Sequence, residues 1–319
     1  MNSEKGGMTA IVLTCCAVGA ITVATTLTLS GNRILSPPTP AAPDIATEEY
    51  GRRLIAQTSE LLGPDVADSK MRFSGSRLAC ASCHLGAGTE PGTLTLLQAT
   101  EHYPRMSARV AAKTDIEDRV NECMQRSMNG KPLPRKSPEM IAMAAYIRSL
   151  GGMNQAMGAA QRKAHEPAAF KTPNRKANLD AGKKLFGERC AACHGTDGSG
   201  LRASADPKRG YVFPPLWGPD SFNDGAGMHR VLTAARFVKT RMPLGNPDLT
   251  DDQAFDVAAF LNSQPRPEMA NLAVDYPDRS SKPVDNAYGP FADSFPIEQH
   301  RYGPFAPIEA FYKQKKPAK

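Results

Sequence analysis

The chain has 319 residues, of which 41% are hydrophobic and 22% charged, with a formal net charge of +7. Such a length suggests about two domains, and the apolar content excludes wholesale disorder. The basic balance admits anions, an anionic membrane surface or an acidic protein as partners. No Lys/Arg-rich block with interleaved aromatics is present, so no nucleic-acid partner is expected.

Residues 9–29, TAIVLTCCAVGAITVATTLTL, are uncharged and follow Lys5. Residues 1–34 are read as a cleaved signal peptide or a retained membrane anchor, because about 20 apolar residues suffice to span a bilayer. Cys15 and Cys16 lie inside this run, but Leu13 and Thr14 are poor residues to precede a lipidated cysteine. Each reading sends the chain out of the cytoplasm to a periplasmic compartment.

The first predicted helix follows Thr47, a good N-cap, with Tyr50, Leu54, Thr58 and Leu61 on one face. CASCH comes next, with Cys80, Cys83 and His84. A closing helix is expected in SPEMIAMAAYIRSLGG, with Ser137 as N-cap, Pro138 at the first position and a stripe of Met140, Met143, Ala144, Ile147 and Leu150. A polar, proline-containing linker over 154–177 follows. The order then repeats: a helix from Leu179, CAACH with Cys190, Cys193 and His194, and a helix opened by the capping box Thr250…Gln253.

C-x-x-C-H is the attachment signature of c-type haem. The two thiols form thioethers with the haem vinyl groups, and the histidine becomes the proximal iron ligand. A pair of C-x-x-C disulfides or zinc half-sites is the alternative, but the histidine follows both times and export suits haem attachment. Two covalently bound haem c groups are therefore expected. The fold class is all-α: two cytochrome c-like haem domains in tandem, over 45–153 and 178–265, and an extended C-terminal tail over 266–319. The tail carries YGPFA at 288–292 and again at 302–306, and is too rich in apolar rings for free disorder.

The second axial ligands are sought in the long loop after each motif. Met242, in KTRMPLG, lies 48 residues past His194 and eight before Thr250. Its thioether suits His/Met ligation, and core filling is the alternative. Lys239 and His229 are further candidates. In the first half the choice includes His102, Met106, Met124, Met128 and Cys123. Cys123 occupies the place equivalent to Met242, 39 residues past His84 and 14 before Ser137, in a charged, glycine-closed loop. As a thiolate it would lower the haem potential, and Arg109, Arg119 and Arg126 would keep its pKa low. A buried inert cysteine is the alternative.

CASCHLGAGTEPGTL, RVNECMQRSMNGKPLP and YGPFADSFPIEQHRYGPF together resemble the dihaem thiosulfate dehydrogenase family of periplasmic c-type cytochromes. The resemblance spans about 45–310. It implies His/Cys ligation of the active-site haem by His84 and Cys123, and His/Met ligation of an electron-transfer haem by His194 and Met242. It also implies catalytic roles for Cys123, Arg109, Arg119 and Ser127. Where some members place a lysine before the ligand methionine, this chain has Arg241. The implied reaction joins two thiosulfates into tetrathionate and passes two electrons to an acceptor protein such as another cytochrome c. Other readings are a dihaem electron carrier without its own substrate, a thiosulfate-loading subunit of a sulfur-oxidising complex, and a dihaem peroxidase.

Overall fold

The structure, a computed structural model, describes residues 47–167 and 169–315. The uncharged run at 9–29 lies outside these residues. No helix among those described is long and apolar enough to cross a membrane.

The first half opens with α1 (Glu48–Ala56), where the Thr47 hydroxyl accepts from the Tyr50 N–H at 3.1 Å. After α2 (Thr58–Leu62) the CASCH segment forms a tight 3-10 turn. α3 (Ala99–His102) leads to a short hairpin of β1 (Arg105–Ser107) and β2 (Ala112–Thr114). α4 (Ile116–Arg126) and α5 (Pro138–Ala156) complete the half. Ser137 caps α5 and Pro138 occupies its first turn, where a missing N–H is harmless. The whole expected stripe, Met140, Met143, Ala144, Ile147 and Leu150, is buried.

α6 (Ala159–Ala164) lies in the connecting segment. The second half repeats the plan with α7 (Leu179–Arg189), α8 (Ala191–His194), a minimal ribbon of β3 (Leu201–Arg202) with β4 (Tyr211–Phe213), α9 (Val231–Arg241) and α10 (Asp251–Ser263). Thr250 and Gln253 form the capping box of α10. In both halves the opening helix crosses the closing one at a glycine. A Cβ on Gly51 would lie 2.0 Å from the Ala142 carbonyl oxygen, and one on Gly182 2.1 Å from that of Asp256. Only glycine lets the backbones come so close.

The stretches expected as long loops each carry a helix, α4 and α9. Cys123 therefore sits on a helix, not in a loop. Most charges that argued for a loop are on the less buried side of α4, Arg126 excepted, while Ile116, Val120 and Met124, four residues apart, are buried. Asp115 and Asp118 cap its start reciprocally, and Arg135 pairs with both carboxylates.

The tail is largely irregular until α11 (Ile297–Tyr302) and α12 (Ala306–Lys315). It is docked: Phe305 and Ile308 are buried in one apolar cluster with Leu232 and Phe255. Buried His300 stacks on Phe291 at 3.7 Å between centroids and meets Asp293 and the Val284 carbonyl.

Gly182→Ala tests the crossing. Helix propensity favours alanine by about 1 kcal/mol, but no rotamer relieves a clash with a backbone oxygen. The net change expected is a loss of about 1–3 kcal/mol, read as a lower denaturant midpoint. An unchanged or raised midpoint would show that the helices can move apart.

Candidate functional site

His84 and Cys123 meet in a cleft of the first half that encloses about 1120 Å3 of empty space, its open mouth included. Cys80 and Cys83 line the same cleft, as do Arg119, Ser127 and Tyr103, and Met228 and Thr233 reach it from the second half. Arg119 and Cys123 on α4 and Ser127 at its C-cap are four residues apart, so one helical face presents all three. The Ser127 N–H closes the helix on the Cys123 carbonyl.

The thiols of the cleft are sharply differentiated. Burial pushes Cys80 up to about 11 and Cys83 up to about 12. Burial also works to raise Cys123, but the Arg119 guanidinium and a hydrogen bond with His84 outweigh it and bring the pKa down to about 7. Arg119 is raised in turn, with Cys123 as the largest cause. Thiol and guanidinium thus favour the charged pair.

The other two arginines point elsewhere. Arg126 is buried and donates to Asp275 at 2.8 Å and to the Gly225 carbonyl at 3.2 Å. Arg109 donates to Asp275 at 2.9 Å and to the Tyr288 hydroxyl at 3.0 Å. It reaches the α4 face only through Glu122, which lies 3.9 Å from its Nε and accepts from Arg119 at 2.9 Å. Neither Arg109 nor Arg126 lines the cleft. Burial works to raise the Asp275 carboxyl, but Tyr288, Arg126 and Arg109 together hold it below its usual range. Sequence reasoning missed Asp275, because its arginine partners are more than a hundred residues away.

In the second half, His194 is buried in α8, and Met242 packs with Cys190 on a cluster of Val238, Leu249, Ala254 and Val257. Lys239 is engaged by the Leu249 carbonyl and Asp251. His229 has both ring nitrogens against backbone carbonyls, of Asp224 at 2.7 Å and Asn262 at 3.3 Å.

These residues fit haem c. His84 Nδ1 donates to the Leu94 carbonyl at 2.7 Å, and His194 Nδ1 to the Pro214 carbonyl at 2.8 Å. Such a bond fixes the ring and leaves Nε2 for a metal. The four motif cysteines are free thiols, none in a disulfide.

Comparison with known proteins finds two cytochrome c domains in the chain. The family model described as SoxA/TsdA, cytochrome c domain, matches residues 71–154, and the Cytochrome c model matches 179–265. The two cytochrome c domains indicate haem c binding. The chain is similar to the thiosulfate dehydrogenase of Allochromatium vinosum, 40% identical over 222 residues, covering 68% of this chain and 77% of that protein. That of Stutzerimonas stutzeri is 36% identical over 237 residues, covering 73% and 74%. Among solved structures, thiosulfate dehydrogenase (TsdBA) from Marichromatium purpuratum matches with a TM-score of 0.61 and 31% identity, over 70% of this chain and 47% of that one.

Asp275→Ala leaves two guanidiniums without their buried partner and is expected to lose about 3–5 kcal/mol, read by denaturant unfolding. Because the folded-state pKa is depressed, the native contribution is present above the unfolded value of about 3.9 and lost as pH falls below it. A variant as stable as the parent at neutral pH would show that the clamp contributes nothing net.

Proposed function

The chain belongs to the thiosulfate dehydrogenase family, and on that premise we propose that it joins two thiosulfate ions into tetrathionate and passes two electrons to an external redox protein. One observation supports this reading above the others: the Cys123 thiol meets the His84 imidazole with Arg119 beside it on the same helical face. A plain electron carrier has no need of a thiol there.

Cys80 and Cys83 would hold one haem c, and Cys190 and Cys193 a second. His84 with Cys123, and His194 with Met242, would be the axial pairs. When bound, the two haems supply two one-electron acceptors.

Arg119 holds the sulfonate of a first thiosulfate by charge-assisted bonds. The Ser127 hydroxyl, one turn beyond Cys123, is placed to donate to the same anion. Arg109 acts through Glu122, adding positive potential from behind. The Cys123 thiolate and the terminal sulfur of thiosulfate form a sulfur–sulfur bond with loss of two electrons. A second thiosulfate attacks the outer, sulfane sulfur of that adduct. The new bond completes tetrathionate, and the bond to Cys123 breaks, returning the thiolate. The charges balance: a thiolate and a dianion enter the first step, and a monoanionic adduct leaves with two electrons released. Export to the periplasm, with the leader cleaved or kept as an anchor over 9–29, fits both haem attachment and a redox partner outside the cytoplasm.

The purified, haem-loaded protein with thiosulfate and ferricyanide is expected to yield tetrathionate. Cys123→Met should lower that rate by well over about a hundred-fold, the scale on which a covalent nucleophile is lost, with both haems still attached. Persistence of near parental turnover would sink the mechanism. Arg119→Gln should raise KM for thiosulfate about ten-fold or more, since a hydrogen bond to a charged group contributes about 1.5–3 kcal/mol. An unchanged KM would remove Arg119 from the binding site.

A further inference from the structure

The end of α9, which carries Met242, is held from both domains. The Thr93 and Thr240 hydroxyl oxygens lie 2.7 Å apart across the boundary between the halves. Thr240 donates its proton to the Arg236 carbonyl at 2.8 Å, so its oxygen is left to accept from Thr93. Thr93 is buried. Arg241 reaches the same loop and donates to the Glu90 and Pro91 carbonyls. Within its own domain, the last turn of α9 is fastened by Lys239 on the Leu249 carbonyl.

The loop that receives Thr240 and Arg241 is also the loop that orients His84. Leu94, next to Thr93, supplies the carbonyl that accepts from His84 Nδ1. Its φ of +63° puts a leucine in the left-handed region. A residue persists there, at about 1–3 kcal/mol, only where its surroundings over-determine it. Here the His84 bond fixes the Leu94 carbonyl, and the Thr240 contact holds the neighbouring Thr93.

Resting on the ligand reading above, we propose that Thr93, Thr240 and Arg241 form an inter-domain bridge that positions Met242 from the first domain. The thioether ligation of the second haem then depends on the loop that sets the imidazole of the first. The physical reason is that a helix end frays unless something outside the helix holds it. Thr240 and Arg241 are the two residues immediately before Met242, and both are held by partners in the first domain. These are positioning residues: none of them is a metal donor.

The test uses the haem-loaded protein and reads the far-red methionine-to-iron band of the ferric form and the midpoint potential of the second haem. Met242→Ala should abolish the band. Thr240→Val and Thr93→Val, each with both haems attached, should weaken the band and lower that potential. The double variant should do no more than either single one, because both remove the same contact. Thr240→Ser, which keeps the hydroxyl, should restore parental values. Arg241→Gln gives an independent reading that leaves the threonine pair intact, and should also weaken the band. A parental protein without the band overturns the ligand assignment and the bridge with it. A parental band that survives unchanged in both valine variants and in Arg241→Gln overturns the bridge alone, as do single-variant shifts that add in the double variant.

Discussion

The buried carboxylate of Asp275 is the interaction on which the arrangement of the cleft depends. It sits between Arg109 and Arg126 and accepts from Tyr288 at 2.6 Å. Without it the buried Arg126 and the partly buried Arg109 would lose the carboxylate they share, and buried charges are tolerated only when paired. Arg126 belongs to the helix that carries Cys123, and Arg109 to the turn between β1 and β2. One tail residue thus fixes the azimuth of α4, and with it the direction of the thiol. The second domain helps: Asn223 donates to the Gln125 carbonyl at 2.8 Å and bonds Asn129, both at the end of α4.

The two halves share their frame and differ where chemistry is required. Each has a glycine-mediated helix crossing, a histidine fixed through Nδ1 by a carbonyl, and a helix before the closing one. The proposed donors, Cys123 and Met242, are placed differently on that inserted helix. Cys123 is in the body of α4, flanked one turn away by Arg119 and Ser127, and so has a lined approach for an anion. Met242 is at the very end of α9, as its C-cap, among Val238, Leu249 and Val257. On the proposed reading, the first setting would accommodate a reacting sulfur, and the second a weak ligand shielded by apolar neighbours.

The attachment motifs, the capping residues Thr47, Ser137 and Thr250 and the stripe of α5 were legible because each is a local pattern with a local physical cause. α4 was not, because its many charges masked a four-residue apolar spacing of Ile116, Val120 and Met124. The same spacing, Arg119–Cys123–Ser127, was available as a signal for the cleft face once that segment is read as helical. The fate of Arg109 and Arg126 was out of reach. An ion pair over a separation of 149 or 166 residues leaves no trace in local periodicity. The Thr93–Thr240 contact is of the same kind.

The doubled YGPFA of the tail has a mechanical meaning in this frame. Tyr288 of the first copy bonds to Arg109 in the first domain, whereas Phe305 of the second packs on Phe255 in the core of the second. The Tyr302 carbonyl receives the Ala177 N–H at 2.8 Å, tying the second copy to the start of the second domain, and Arg301 donates to the Ala287 carbonyl, linking the residues just before the two copies. The tail is therefore a tether with one grip per domain. It adds to the connecting segment in holding the two halves at high effective concentration. The distance between the two domains can then be kept constant by a segment that lies outside both attachment motifs.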